Sequence, residues 1–220
     1  MRNRTFVFRD RDEAGARLAE RLLEHRNQNP VVLAIPSGGV PIGFAVSQRL
    51  GAPFDLIVSR KIPLPYTREA GFGALTWDDI MILNEALVTS IPLTKEQVED
   101  GIAVAKRELE ERTHLFRGDR PLPNVKDRCI ILVDDGLASG FTMIAAVTFV
   151  KRHGAEKTVV AVPTGPMHSV TRVASHVDEL VCLNIREGFS FAVADAYAEW
   201  HDLTEMEVQS YLDRVPMWTT

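Results

Sequence analysis

Hydrophobic positions along the chain form short uninterrupted runs that alternate with segments of helical periodicity. Residues 31–35 form such a run, bounded by Pro30 and Pro36, and it is typical of a strand buried on both faces. Similar runs predict strands at 55–59, 128–134, 157–162 and 178–183. The intervening segments predict helices at 12–27, 41–49, 141–153, 168–176 and 204–212. This alternation predicts an α/β fold with a doubly wound, mainly parallel sheet.

Residues 60–124 interrupt the alternation. Prolines and glycines break the apolar pattern early in this stretch, at Pro63, Pro65, Gly71 and Gly73. They predict a loop or a short hairpin at 60–79, with basic residues at its base and, at Arg68, in its middle. An inserted, mainly helical segment is expected at 80–124, beginning with a short strand at 80–83.

The longest helix is predicted at 94–117. Thr94 and Gln97 form a capping-box pattern at its start. Apolar residues then recur at three- and four-residue spacing, at Val98, Ile102, Ala105 and Leu109. The remaining faces are charged, so we expect a solvated helix packed on the flank of the sheet. A partner surface and an active-site cover are the alternatives.

The end of the chain, 186–220, is predicted to be an extension of the sheet domain. Four aromatic residues precede its helix, namely Phe189, Phe191, Tyr197 and Trp200. We find no internal repeat and no low-complexity segment. A single domain over 1–220 is therefore expected, with one insertion and one extension.

The composition limits the partners to be expected. The chain has 25 Lys and Arg residues against 30 Asp and Glu residues, a formal net charge of -5 at pH 7. This balance argues against a general nucleic-acid or anionic-membrane binder. No apolar stretch approaches the roughly 18 residues that span a bilayer, and residues 1–8 lack the features of a signal peptide. Cys129 and Cys182 lie in apolar runs, as expected of buried thiols in the reducing cytoplasm.

The most informative motif is the segment 130–142, Ile-Ile-Leu-Val-Asp-Asp-Gly-Leu-Ala-Ser-Gly-Phe-Thr. An apolar strand ends in Asp134 and Asp135, and a loop of small residues then leads to Thr142 at the start of a helix. Small residues let backbone N–H groups approach phosphate oxygens, and a helix N-terminus adds about half a positive charge. Carboxylates at a strand end can accept hydrogen bonds from two ribose hydroxyls. The motif suits a sugar with a terminal phosphate, and a purely structural turn is the alternative.

Two other segments are expected at the same edge, because ligands of such sheets bind beyond the carboxyl ends of the strands. The segment 36–41, Pro-Ser-Gly-Gly-Val-Pro, exposes backbone donors at its glycines. Arg60 and Lys61 place two cations at the end of the second strand. Taken alone, the segment 36–41 is equally well explained as a structural βα turn. Arg60 and Lys61 are equally well explained as an ordinary pair of surface cations. Together with 130–142 they suit a substrate with phosphate at one end and diphosphate at the other.

In this order the three segments resemble the type I phosphoribosyltransferases, whose substrate is 5-phosphoribosyl 1-diphosphate (PRPP). The resemblance implies that Asp134 and Asp135 bind the ribose hydroxyls and that 62–78 is a flexible loop closing over the site. The implied 5′-phosphate loop consists of Ala138, Ser139, Gly140, Phe141 and Thr142. The implied diphosphate-binding residues are Ser37, Gly38, Gly39, Arg60 and Lys61.

The closer resemblance is to a branch known as predicted phosphoribosyltransferases, which shares Pro-x-Gly-Gly-Val-Pro, Arg-Lys and Val-Asp-Asp-Gly and has a similar aromatic-rich tail. The chain departs from this branch at Ser37, where the branch often has arginine. It departs from the 6-oxopurine enzymes at Ala138, where those enzymes have an aspartate general base. Alanine cannot accept a proton, so salvage of hypoxanthine or guanine by that mechanism is not expected.

The resemblance implies a PRPP-dependent pentosyltransferase, a glycosyltransferase of nucleotide metabolism. It would move the 5-phosphoribosyl group to a nitrogenous base or related nitrogen nucleophile and release diphosphate. Mg²⁺ is the implied cofactor, held mainly through the substrate, with Asp134 and Asp135 as candidate metal contacts through water. The family also implies a homodimer.

The sequence identifies neither the acceptor nor a general base. A different class therefore stays open, in which the same fold binds PRPP or a nucleotide as a non-catalytic sensor or regulator. An RNA-binding regulator is a third hypothesis, which the acidic composition disfavours.

Overall fold

The computed structural model describes residues 1–76, 78–118, 120, 123–188 and 190–214, with the backbone alone at 68–70. Phe189 of the predicted aromatic tail and the side chain of Arg68 lie outside this description. Parts of three predicted segments also lie outside it, namely 62–78, 80–124 and 186–220. The expectation of a single domain over 1–220 stays a prediction.

Two sheets contain the strands of the described residues. The strands are β1 (Pro30–Ala34), β2 (Phe54–Leu56), β3 (Ser59–Leu64), β4 (Thr67–Thr76), β5 (Met81–Leu83), β6 (Cys129–Val133), β7 (Lys157–Pro166) and β8 (Glu179–Arg186). The larger sheet has the order β2-β1-β6-β7-β8, and all its neighbouring strands are parallel. The smaller sheet has the order β3-β4-β5 and is antiparallel.

Helices cover both faces of the parallel sheet. In chain order they are α1 (Arg11–Arg21), α2 (Gly39–Leu50), α3 (Glu85–Ser90), α4 (Lys95–Arg117), α5 (Phe141–Arg152), α6 (Met167–Ala174) and α7 (Glu205–Leu212). Short 3-10 helices occur at Leu23–His25 and Val193–Ala196.

Strand β1 shows why its run of apolar residues is uninterrupted. Val32 and Ala34 belong to the core beneath α1, α2 and α7, whereas Val31 and Leu33 belong to the core beneath α5 and α6. All four side chains are buried, because successive residues of a strand point to opposite faces and both faces are covered. The predicted doubly wound, mainly parallel α/β sheet is confirmed.

The predicted strand at 55–59 is wrong in its second half. Strand β2 ends at Leu56, and Ser59 begins β3 of the smaller sheet. Ile57 packs in the core of the parallel sheet, whereas Val58 packs in the core beneath α4. The apolar run therefore marks burial in two successive cores and not one continuous strand.

The segment 62–78, which the family resemblance implied to be a flexible loop, has regular secondary structure over most of its described residues, which here are 62–76 and 78. Strands β3 and β4 form an antiparallel hairpin, from the pair Ser59 and Thr76 to the pair Leu64 and Thr67, with irregular register at Pro63. The hairpin is one of the two alternatives that its prolines and glycines allowed. Its closure over a substrate stays a prediction.

Helix α4 covers the smaller sheet and does not lie on the flank of the larger one. Its capping box is present, with the side chain of Thr94 accepting from the Gln97 N–H. Ala105 and Leu109 pack against Ile62 and Phe72 of the hairpin, as part of one buried cluster.

A buried ion pair ties the end of α4 to the larger sheet. The guanidinium of Arg117 donates to the carboxylate of Asp55 in β2, and both side chains are buried. This contact joins the carboxyl-terminal end of the inserted helix to β2 of the larger sheet.

Two predictions from composition can be compared with the structure. Cys129 is buried, Cys182 is partly buried, and both are free thiols. Burial raises the pKa of each, to about 12 for Cys182, so neither is a reactive thiolate at neutral pH. Among the helices of the described residues, none has the length and apolar content needed to cross a bilayer.

Candidate functional site

A cavity of about 480 Å³ lies at the carboxyl ends of the central strands. It brings together eight of the predicted site residues, namely Arg60, Lys61, Asp134, Asp135, Ala138, Ser139, Gly140 and Thr142. Four predicted residues lie next to the cavity without lining it, namely Ser37, Gly38, Gly39 and Phe141. The binding roles of all twelve stay predictions.

The two adjacent carboxylates have different surroundings. Asp134 accepts a hydrogen bond from the backbone N–H of Asp135, at 2.8 Å. Burial and the neighbouring charge of Asp135 raise the pKa of Asp134 well above its ordinary value. Burial also raises the pKa of Asp135, although the charge of Arg11 opposes this effect.

Arg11 is a supporting residue that the sequence offered no reason to single out. Its Nε donates to Asp135 Oδ2 at 2.9 Å, and a second nitrogen donates to the carbonyl of His201 at 2.9 Å. The guanidinium lies 3.8 Å from the ring centroid of Trp200, which packs over it. Arg11 therefore fixes the orientation of the Asp135 carboxylate from behind the cavity.

The loop 136–140 is anchored by its carbonyl groups. Ser169 Oγ donates to the Ala138 carbonyl at 2.5 Å, and Arg172 donates to the Ser139 carbonyl at 2.6 Å. Both donors lie on α6. The Leu137 N–H is also engaged, because it donates to the Thr164 carbonyl at 2.9 Å, so the N–H groups that can serve a ligand are those of residues 138–140.

Gly140 ends the loop and caps helix α5. Its φ of 84° is in the left-handed region, where glycine is favoured, and no side chain caps the helix. The N–H groups of the first turn of a helix have no partner within the helix, so they remain available to an anion. Thr142 lies in this first turn and lines the cavity.

Phe141 is placed differently from the other predicted phosphate-loop residues. Its ring packs against Ala74 and Ala145, and the guanidinium of Arg172 lies 4.9 Å from the ring centroid. The side chain is therefore a structural anchor, and only the backbone of Phe141 is positioned to act on a ligand.

The glycines of the segment 36–41 serve close packing. A Cβ atom on Gly38 would lie 1.9 Å from Asp135 Oδ2, and one on Gly39 would lie 2.8 Å from the Val133 carbonyl. Glycine at these positions lets the end of β1 approach the acidic motif directly. Ser37 contacts a different element and accepts from Arg112 of α4, at 2.7 Å.

Arg60 and Lys61 line the cavity from β3 and not from the end of a strand of the parallel sheet. Arg60 is paired with Glu108 of α4, with its Nε 3.1 Å from Glu108 Oε2. A charged residue of α4 therefore contacts a side chain that lines the cavity, and the hypothesis that α4 covers an active site stays a prediction.

The insertion and the extension both contribute walls to the cavity. Asn84 and Leu87 come from the insertion, and Val193 comes from the extension. Tyr197, also in the extension, donates from its hydroxyl to the backbone carbonyl of Asp135 at 2.6 Å. The aromatic content of the tail was the only signal in the sequence that pointed to this contact.

The donor set at the acidic motif suits Mg²⁺ held mainly by a substrate. Asp134 and Asp135 offer hard carboxylate oxygens, which this ion prefers. Within the described residues they belong to no group of three or more side chains that could hold an ion alone. The residues present thus fit an ion that a diphosphate and water would also ligate.

Comparison with known proteins adds evidence on family. Residues 84–197 match the family model of the phosphoribosyl transferase domain. Two Mycobacterium tuberculosis proteins, from strains CDC 1551 and H37Rv, are provisionally named as phosphoribosyl transferases and are each 39% identical to this chain over 211 residues. The match covers 94% of this chain and 47% of theirs, so the chain spans about half the length of these relatives.

Two solved structures resemble this chain over most of its length. The crystal structure of TT1426 from Thermus thermophilus has 33% sequence identity and a TM-score of 0.76, and the match covers 94% of this chain and 98% of that one. The structure of AQ2163 from Aquifex aeolicus has 13% identity and a TM-score of 0.53, and the match covers 85% and 78% of the two chains. This second likeness concerns the fold alone.

Proposed function

Because the chain belongs to the phosphoribosyl transferase domain family, we propose that it transfers the 5-phosphoribosyl group of PRPP to a nitrogen nucleophile and releases diphosphate. The observation that carries the proposal is that two features lie side by side in one cavity. Two carboxylates adjoin a loop that α6 anchors by the carbonyls of Ala138 and Ser139 and that leads into the N-terminus of α5, whose first-turn N–H groups suit an anion. A ribose with a 5′-phosphate is complementary to both.

In this proposal the acidic motif and the loop orient the sugar. Ribose hydroxyls donate to Asp134 and Asp135, and the 5′-phosphate accepts from the N–H groups of residues 138–142 and from the Thr142 hydroxyl. The nitrogen nucleophile forms a bond to the anomeric carbon as the bond to the diphosphate oxygen breaks. The nearby carboxylates stabilise the positive charge that develops on the ring.

The cations of β3 act on the leaving group. Arg60 and Lys61 lie along the same cavity and offset the negative charge that accumulates on the departing diphosphate. Asp134 and Asp135 would hold Mg²⁺ together with the substrate, and the ion would supply further charge neutralisation. The hairpin excludes water if it closes over the bound substrate.

The acceptor is expected to bind between the insertion and the extension. Leu87 and Val193 offer apolar surface there, and the side-chain oxygen of Asn84 accepts from the Leu87 N–H at 3.2 Å. The Asn84 side chain can therefore donate a hydrogen bond from its amide NH₂ group to a ring nitrogen or a carbonyl oxygen of the acceptor. A small, flat nitrogenous base fits these walls.

A PRPP sensor without turnover is the second candidate. The observation that favours it is the lining of the cavity in the described residues, where Asp134 and Asp135 are the carboxylates and no histidine occurs. With both carboxylates committed to the ribose, no side chain is assigned to remove a proton from the acceptor. An acceptor that reacts as an anion would not need such a base.

The test is turnover with a panel of acceptors. Purified protein, PRPP and Mg²⁺ are incubated with purine and pyrimidine bases and with small amines, and diphosphate release is measured. Release with at least one acceptor is expected. PRPP binding by calorimetry without any release would favour the sensor, and the absence of PRPP binding would refute both candidates.

Two variants check the site assignment in the same assay. Thr142→Ala is expected to weaken PRPP and ribose 5-phosphate several-fold while leaving any free base unaffected, because it removes one hydrogen bond to the phosphate. Asp135→Asn is expected to weaken PRPP by at least about tenfold. Equal losses for PRPP and free base would contradict the phosphate-loop assignment.

A further inference from the structure

Two charged residues of α4 contact residues at or next to the cavity. Glu108 and Arg112 are four positions apart, so they lie on the same face of the helix. Glu108 binds Arg60, which lines the cavity. Arg112 binds Ser37, which follows Pro36 in the chain, and Pro36 also lines the cavity. One guanidinium group, that of Arg60, therefore lines the cavity, and a second, that of Arg112, contacts the residue that follows its lining residue Pro36.

Arg112 has few partners for a partly buried cation. One of its terminal nitrogens donates to the neutral hydroxyl of Ser37 at 2.7 Å, and its guanidinium lies 5.4 Å from the ring centroid of Phe116. Its Nε–H is buried and has no hydrogen-bond acceptor. In the part of the chain that the structure describes, no carboxylate lies within ion-pair distance of Arg112.

Arg112 lies among charges of both signs. Burial lowers the pKa of Arg112 and the positive charge of Arg60 lowers it further, whereas the carboxylates of Glu205 and Glu108 act in the opposite direction. Arg60 is already paired with Glu108, so an anion that enters here can bind Arg112 without first separating that pair. Buried polar groups of native proteins normally have partners, which makes the bare Nε–H a candidate donor to a ligand.

The position of Arg112 also determines which end of a substrate it meets. The Asp135 carboxylate contacts Gly38 on the side of the segment 36–41, and the chain continues from Asp135 into the loop 136–140 on the other side. If the acidic motif holds a ribose with its 5′-phosphate on that loop, its anomeric substituent would extend toward the segment 36–41, where Ser37 contacts Arg112.

We propose that Arg112 binds the diphosphate end of PRPP and so distinguishes PRPP from ribose 5-phosphate; this inference rests on the proposed function. Arginine suits the role because its planar fork can donate two parallel hydrogen bonds to phosphate oxygens. The inserted helix thus supplies the cation that the segment 36–41, with serine at position 37, does not contain.

The experiment measures three ligands by calorimetry with Mg²⁺ on the full chain: PRPP, ribose 5-phosphate and inorganic diphosphate. Arg112→Gln is expected to weaken PRPP and diphosphate by at least about tenfold and to leave ribose 5-phosphate unchanged. Arg112→Lys, which keeps the charge without the fork, is expected to be intermediate. Arg107→Gln is the matched control, because Arg107 lies on the same helix and its side chain is 65% exposed.

Each outcome decides between the inference and the proposed function. If Arg112→Gln binds PRPP and diphosphate like the wild type, or loses ribose 5-phosphate to the same degree, the inference is wrong while the proposed function stands. If the wild type binds diphosphate but not PRPP, and Arg112→Gln loses the diphosphate, the anion site is supported and the proposed function is wrong. A wild type that binds none of the three ligands refutes both. If Arg112→Gln does not fold, Arg112→Lys provides the test. Selectively weaker binding of PRPP and diphosphate by this variant supports the inference, and wild-type binding of both ligands refutes it.

Discussion

Asp134 and Asp135 are adjacent aspartates whose carboxylates have different hydrogen-bond partners. Arg11 holds the carboxylate of Asp135 by an ion pair, whereas Asp134 has the Asp135 N–H as its hydrogen-bond donor. Burial is the main cause that raises the pKa of Asp134, and the negative charge of Asp135 raises it further. In the ligand-free protein, Asp134 is therefore the member of the pair that holds a proton more readily.

The raised pKa of Asp134 predicts a pH-dependent effect of Asp134→Asn. An acid whose pKa is higher in the folded state stabilises the protein below its ordinary pKa, and this contribution is lost as pH rises through the raised value. The wild type should therefore lose stability relative to Asp134→Asn as pH rises from about 4 toward 8. Urea unfolding of both proteins across this range measures the difference, and a difference that does not change with pH would contradict the assignment.

At the scale of elements, the position of α4 determines which charged side chains meet Arg60 and Ser37. The helix packs on the hairpin through its apolar face, and its end is tied to β2 by the buried pair of Arg117 and Asp55. These contacts place Glu108 beside Arg60 and Arg112 beside Ser37. The inserted segment is therefore a wall of the candidate site and not an appendage.

Asp55→Asn tests this anchoring. The substitution leaves the Arg117 guanidinium buried without its negatively charged partner, which is expected to lower the free energy of unfolding by about 3 kcal/mol. Chemical denaturation provides the measurement. Glu20→Gln is the control, because it breaks an exposed pair with Arg49 and should change the stability little. Equal stability of Asp55→Asn and the wild type would show that the pair does not anchor the helix.

At the scale of the whole molecule, the two ends of the described chain meet behind the acidic motif. Arg11 comes from the first helix, and Tyr197 and Trp200 come from the extension. The ring centroids of Tyr197 and Trp200 are 5.1 Å apart, and both rings lie near the Arg11 guanidinium. Segments remote in sequence thus support one carboxylate and one backbone carbonyl.

Tyr197→Phe is expected to weaken the site while keeping the aromatic packing. Burial raises the pKa of the Tyr197 hydroxyl, which therefore remains a donor to the Asp135 carbonyl at neutral pH. Loss of this bond should lower the free energy of unfolding by about 1–2 kcal/mol and weaken PRPP several-fold. Denaturation and calorimetry measure the two effects.

Tyr211→Phe is the matched control for this prediction. It removes the hydrogen bond that the Tyr211 hydroxyl donates to Asp12 at 2.8 Å, and neither residue lines the cavity. If the two variants weaken PRPP equally, the support of Asp135 by the extension is refuted.

The features that could be predicted from the amino-acid sequence are those that depend on local backbone structure. The apolar runs and helical spacings predicted the order of the parallel strands and their helices along the chain, because burial on both faces and periodicity act over a few residues. The segment 130–142 likewise predicted a strand, two carboxylates and a loop at a helix N-terminus, since all of these are contiguous.

The side chains that complete the site from a distance became evident only once the elements were packed together. Arg11 and Asp135 are 124 positions apart, and Arg112 and Ser37 are 75 apart. Arg112 was predicted only as one of several charges on a helix, and Arg60 was placed on the wrong element because the run 55–59 passes from one core into another. Such contacts depend on how whole elements pack, and periodicity along the chain contains no information about that.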